Sequence, residues 1–220
     1  ELDLANAHFW GMDEWYLDGR AADVTHPLSF ERADRELCFN RIAPRLRPPE
    51  ANLHFPKADP TDYLAAWDQV HCAVMQGGQG EIKHWAFNDP LPRTGPWQHE
   101  PPPAAEYLKL STRVVDLHPL TLVQNARTSG GGNVAGVPRQ AITVGPVQTW
   151  QVEKVSIWHA GTRSETGKQV VTDEYAKLVG GAAALPHAVL HLRLKGREAP
   201  GTIDVHHVAV DHEPEDRRRA

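Results

Sequence analysis

Apolar and polar positions alternate along this chain in short blocks, each closed by glycine or proline. Residues 7–12 (AHFWGM) form an apolar run that ends on the acids Asp13 and Glu14, which predicts a buried strand with carboxylates at its C-terminal end. A polar, glycine-containing loop is expected through Thr25. Pro27 then opens a stretch, 28–42, with charges at i,i+4 spacing, which predicts a helix; Pro44, Pro48 and Pro49 end it. A short helix is expected over 60–67, with Asp59 as its cap. The apolar run 69–76 (QVHCAVMQ) predicts a second buried strand, running straight into Gly77-Gly78-Gln79-Gly80.

Beyond it, prolines at 90, 92, 96 and 101–103 forbid regular structure over 90–103. Residues 104–116 read as helical at first, and 128–136 (TSGGGNVAG) as a glycine-rich loop. Strands are expected at 140–144, 154–158, 188–194 and 202–210, with a helix at 163–179. This order of strands and helices predicts one α/β domain over 1–212 with a mainly parallel sheet, followed by a charged tail, 213–220. Ligands of such sheets sit beyond the carboxyl ends of the strands. Three places qualify: Asp13-Glu14, the segment 77–90 and the loop 128–136.

Composition narrows the function classes. With 220 residues, 40% hydrophobic and 23% charged, the chain can bury a core and has a globular composition. A net charge of −5 argues against a general nucleic-acid binder, which needs a basic face. No apolar run approaches the roughly 20 residues of a membrane helix. Cys38 and Cys72 read as buried free thiols of a reduced, cytoplasmic protein. The chain opens Glu-Leu-Asp-Leu without Met or signal-peptide pattern, so the expectation is a processed chain or one lacking an N-terminal piece of a larger fold.

Two segments carry candidate chemistry. His84 lies five positions before Asp89, after glycines that let a ligand approach the backbone. An oriented imidazole is a proton carrier near neutral pH, but a surface histidine beside an Asn-Asp-Pro turn has the same pattern. Asp13 and Glu14, flanked by Trp10 and Trp15, could supply a general base raised by partial burial, or could cap a loop. Thirteen histidines include His187, His191, His206 and His207, yet no metal-site spacing such as H-E-x-x-H or C-x-x-C occurs. Ser129, Ser156 and Ser164 lack a G-x-S-x-G context, and the glycines at 77–80 are no dinucleotide fingerprint. The tryptophans read as core or pocket walls, with Trp10, Trp15 and Trp85 placed to stack on a sugar face.

Taken together, Gly-Met-Asp-Glu-Trp, His-Pro-Leu-Ser-Phe (26–30) and Gly-Gly-Gln-Gly-x-x-x-His-x-Ala-Phe-Asn-Asp-Pro (77–90) resemble the glucosamine-6-phosphate deaminase/isomerase family. Asn125-Ala126-Arg127 and Val-Pro-Arg-Gln-Ala-Ile-Thr-Val-Gly (137–145) resemble its next two signatures, in the right order. The resemblance covers about 9–171 and extends to a superfamily that includes 6-phosphogluconolactonases and sugar-responsive regulator domains. It implies a Rossmann-like three-layer α/β sandwich and a cofactor-free conversion of an amino-sugar phosphate to a ketose phosphate plus ammonia. By the same resemblance Asp13 is the base between C2 and C1, His84 assists ring opening, and Asp89 orients it in place of the family's usual Glu. Arg127 would grip the sugar phosphate, with Glu14, Gly78, Gly80 and Arg163 as further substrate contacts. The partner implied is a small sugar phosphate; no nucleic acid, membrane or metal is expected, and a homo-oligomer is a family trait.

Departures from the pattern qualify the implied activity. Ile82 stands where many members have Asp or Asn, and Lys83 replaces a usual Gly. Ser164 falls where a phosphate-binding Lys is usual, with Arg163 or Lys168 as substitutes. The family's first strand and phosphate loop precede the Met-Asp-Glu segment, and only twelve residues precede Asp13 here, so that anion site is expected to be absent. The loop 128–136 could form a replacement anion nest beside Arg127 or be a plain glycine loop. These departures leave a second expectation, a non-catalytic sugar-phosphate-binding homologue or sensor. A lactonase ranks lower, because its Asp-Gly-His-x-Ala-Ser pattern is absent at 82–87. A DNA-binding regulator lacks any helix-turn-helix segment.

Overall fold

Strand β2 (Asp13–Leu17) turns back on β3 (Arg20–Ala21) through Asp18 and Gly19, both in the left-handed region at φ 49° and 81°. This two-residue Asp-Gly turn suits the right-handed twist of a hairpin, which sets Tyr16 opposite Ala21. The computed structural model describes residues 3–78, 80, 84–91, 94–129, 131–161 and 202–209. The other face of β2 pairs with β7 (Gln140–Thr143), and β7 pairs with β6 (Arg113–Asp116), giving the order β3-β2-β7-β6. All three pairings in this sheet are antiparallel.

Two parallel pieces accompany it. β1 (Phe9–Trp10) pairs with β4 (Leu53–His54), and β5 (Val74–Gly78) pairs with β8 (Lys154–Gly161), itself paired with β9 (Thr202–Ala209). The fold is mixed α/β with parallel pieces. The parallel pairing expected from the sequence is present in β1–β4 and β5–β8–β9; beside it β3, β2, β7 and β6 form an antiparallel sheet, joined by cross-strand registers that element order does not reveal.

The helices are α1 (Phe30–Leu37), α2 (Thr61–Gln69), α3 (Ala104–Tyr107), α4 (Pro119–Ser129) and α5 (Pro146–Gln151). α1 is shorter than the expected 28–42, ending before a 3-10 turn at Phe39–Arg41. α2 runs to Gln69 because Tyr63 and Trp67, four apart, bury one face of it. That pushes β5 to Val74, five residues later than the apolar run suggested, and draws Gly77 and Gly78 into the strand. Asp59 accepts the amide and hydroxyl of Thr61 at 3.0 and 2.6 Å from one residue before the N-cap, Pro60, so it holds the turn into α2 and the cap position itself falls to the proline. The helix at 163–179, the strand at 188–194, the pair His187/His191 and the tail lie outside the described residues.

Two apolar clusters form the core. Tyr63, Trp67, Met75, Trp85, Val144 and Val155 make one; Trp15, Phe87, Leu117, Ala126 and Ala141 belong to the other. Trp15 and Trp85 are fully packed core residues, which corrects their reading as sugar-stacking walls. Cys38 is exposed and Cys72 half-buried, so the expectation of two buried thiols is also corrected. Among the described residues no helix is long and apolar enough to cross a membrane.

The residues 85–87 bridge the two clusters, with Trp85 in the first and Phe87 in the second. The ring of Phe87 lies 5.3 Å from Trp15 and 5.9 Å from Phe30. This clamp fixes the segment that carries His84 and Asp89.

Candidate active site

The antiparallel register places Asp13 directly opposite Thr143 on one side of β7 and Arg113 opposite Thr143 on the other. Directly paired residues share a sheet face, so the three stand in one row. The Thr143 hydroxyl donates to Asp13 Oδ1 at 2.5 Å and accepts the Phe87 amide at 2.9 Å. Burial pushes the Asp13 carboxyl up to about 6, against the Thr143 hydroxyl, the neighbouring His84 and the Phe87 amide, which favour its ionised form; Glu14 adds a small upward push.

Facing that row is a buried His84–Asp89 pair, 8% and 3% exposed at the side chains. Asp89 meets His84 Nδ1 through Oδ1, which also accepts the Thr121 hydroxyl at 3.1 Å, while Oδ2 accepts the His118 amide at 2.8 Å. A carboxylate so surrounded by donors acts as acceptor toward Nδ1. The imidazole then donates Nδ1–H, leaving Nε2 as the working nitrogen. Gly80 lies against that edge: a Cβ there would sit 1.9 Å from Nε2, so only glycine lets the backbone pass. The ring of Phe87 meets the imidazole edge-on at 5.8 Å.

The turn between the pair is held firmly. Ala86 adopts a left-handed φ of 52°. Asn88 donates from Nδ2 to the carbonyls of Trp85 and Val144, both at 2.9 Å, and accepts the half-buried Arg113 guanidinium at 3.0 Å. Burial lowers the Arg113 pKa. The arrangement therefore offers a raised carboxylate base and an oriented imidazole on a rigid segment, the equipment of proton transfer at carbon and oxygen.

Other expected residues are placed differently. Glu14 is 1% exposed, and its carboxylate accepts the amides of Trp15, Phe30 and Glu31 and the Ser29 hydroxyl. It caps α1, whose N-terminal amides and dipole favour a negative charge, so its expected role as substrate contact is corrected. Arg127 is exposed on α4, six positions beyond Thr121, which puts it about 240° round the helix from the residue that holds Asp89. Gly78 ends β5, opposite Trp158. Arg163, Ile82, Lys83, Ser164 and Lys168 lie outside the described residues.

In the glycine loop after α4, four of the described amides are bonded internally and are not turned to an anion. Gly132 donates its amide to the Ala126 carbonyl at 2.8 Å, terminating the helix, and the amides of Ala135, Gly136 and Val137 are each bonded within the loop. Among the described residues no group of three or more His, Cys, Asp or Glu could hold a metal ion.

Sequence reasoning missed Thr143, Thr121, Arg113 and the His118 amide. Thr143 did leave a signal: it is a hydroxyl inside the apolar run Ala-Ile-Thr-Val, and a buried hydroxyl must have partners.

No family model matches the sequence, and no curated protein does. Solved structures do. A monomeric glucosamine-6-phosphate deaminase of the NagB superfamily superposes with a TM-score of 0.65 at 18% identity, over 93% of this chain and 74% of its own. A 6-phosphogluconolactonase from Trypanosoma brucei gives 0.56 at 14% identity, covering 90% and 71%. One from Shewanella baltica OS155 gives 0.51 at 15% identity, covering 94% and 74%. What is shared at such identities is the architecture: this chain has the fold of these deaminase and lactonase structures.

Proposed function

We propose that this chain is an aldose–ketose isomerase/deaminase acting on an amino-sugar phosphate of the glucosamine 6-phosphate type. The observation that carries the reading is the raised, hydrogen-bonded Asp13 carboxylate facing a buried His84–Asp89 pair. In this reading His84 Nε2 carries a proton between the anomeric hydroxyl and the ring oxygen, opening the ring. Asp13 removes the C2 proton, the C2–H pair forms the C1–C2 double bond, and the C1 carbonyl oxygen takes a proton from the substrate's own C2 ammonium. Asp13 returns its proton to C1, which is bound by the C1–C2 double-bond pair, while the nitrogen lone pair makes a C2–nitrogen double bond. Water adds at C2 and ammonia leaves, so amino-sugar phosphate plus water gives ketose phosphate plus ammonia. A carboxyl that titrates near 6 is ionised at neutral pH yet basic enough to take a carbon-bound proton.

The deaminase likeness of the fold and the motif order support the same reading. Ammonia release from glucosamine 6-phosphate tests it. The wild-type chain should release ammonia, and Asp13→Asn should lower kcat by about 100- to 10,000-fold while keeping its circular dichroism. Equal release by both would remove Asp13 from the chemistry. Calorimetric binding without release would make the chain a sugar-phosphate-binding homologue, and hydrolysis of a phosphogluconolactone in its place would make it a lactonase.

A further inference from the structure

We propose that Thr143 is the positioning residue of this site, a single hydroxyl that sets the Asp13 carboxylate and the His84–Asp89 segment in fixed relation to one another. The inference deepens the reading of Asp13 as the base and rests on it.

Thr143 is fully buried and sits in the register that puts it beside Asp13. A threonine hydroxyl has one proton and two lone pairs. One lone pair takes the Phe87 amide at 2.9 Å, and the proton goes to Asp13 at 2.5 Å; the competing acceptor, the Val144 carbonyl, is at 3.4 Å. Phe87 stands midway between His84 and Asp89, locked between Trp15 and Phe30. The branched Cβ of threonine restricts its χ1, so the hydroxyl cannot swing away from either partner. One atom on β7 thus holds the base and the acid–base pair together.

The same bond favours the ionised base. The other groups that act on Asp13 are His84, Glu14, Tyr63 and the Phe87 amide. Of these, His84, Glu14 and Tyr63 are untouched by Thr143→Val, which keeps the shape and removes the hydroxyl. The carboxylate then loses a donor, and the Phe87 amide loses its acceptor. Thr143→Ser keeps both.

The test is a carbon-detected NMR titration of the Asp13 carboxyl, assigned by its disappearance in Asp13→Asn, in the wild-type, Val and Ser chains. The Val chain should titrate about one pH unit higher than wild type, and the Ser chain close to wild type. In ammonia release, the Val chain should lose about 10- to 100-fold in kcat with KM within threefold. The acidic limb of its kcat/KM profile should move up with the carboxyl, while the Ser chain recovers to within about threefold. A Val chain that titrates with the wild type, or a Ser chain as impaired as the Val chain, overturns the proposal. If the Val chain does not fold, Thr143→Ala removes the same hydroxyl and is read the same way. If the wild-type chain releases no ammonia, the deaminase reading fails, and the carboxyl titration still decides the role of Thr143.

Discussion

Asp13 shows what a buried carboxylate costs the molecule that holds it. Its carboxyl rises from an ordinary 3.8 to about 6, chiefly because burial disfavours the charge. For an acid with a raised folded pKa, the protonated form folds more readily. The destabilisation is therefore absent below about pH 4, builds through the interval up to about 6, and is constant above it. Replacing the charge should relieve it. Asp13→Asn should raise unfolding free energy by about 1–3 kcal/mol at pH 7.5, with little difference at pH 3.5, in denaturant melts at both values. Equal stability at pH 7.5 would mean the carboxylate is solvated as well in the fold as out of it. The residues Asp13, His84 and Asp89 were legible in the sequence because each sits in a short local motif. Thr143 and Thr121 were not, since their role exists only through residues 130 and 32 positions away.

The sequence was least legible where a partner element decides the structure. The segment 13–17 read as the start of a loop because it opens on two acids, yet Trp15 is buried and the segment is the strand β2. The hairpin signal, Asp18-Gly19, was present and would have found it. The acids have separate reasons to be there. Asp13 faces Thr143, while Glu14 turns to the amides at the start of α1 that have no partner within the helix. This makes α1 dependent on β2. Glu14→Ala should cost about 1–3 kcal/mol, because the Ser29 hydroxyl and two helix amides lose their acceptor together. Thermal melts would register it as a fall in Tm, and an unchanged Tm would mean that water replaces the carboxylate without loss. Helix α2 was legible in place but not in length, as its tertiary packing through Tyr63 and Trp67 overruled the strand-like run that follows.

At the scale of the molecule, the α/β class and the presence of parallel strand pairs were readable, whereas the antiparallel sheet was not. Sheet direction is set by which strands meet, and β6 and β7 join β2 from more than 90 positions along the chain. The fold is shared with structures only 14–18% identical. Much of the site's rigidity is borrowed from the two apolar clusters that residues 85–87 span. Phe87→Ala should cost about 3–5 kcal/mol and loosen the site as well. In hydrogen exchange, the amides of Asn88 and Asp89 should exchange faster in that variant, and unchanged rates would mean the turn holds itself.

The bond between Asp13 and Thr143 also sets a schedule. It joins positions 130 residues apart, so at about 5–20 residues per second Thr143 follows Asp13 from the ribosome by roughly 7–26 s. Throughout that interval the nascent chain carries Asp13 without the strand that buries it, as an ordinary solvated aspartate. The buried carboxyl with its raised pKa comes into being only when β7 closes on β2.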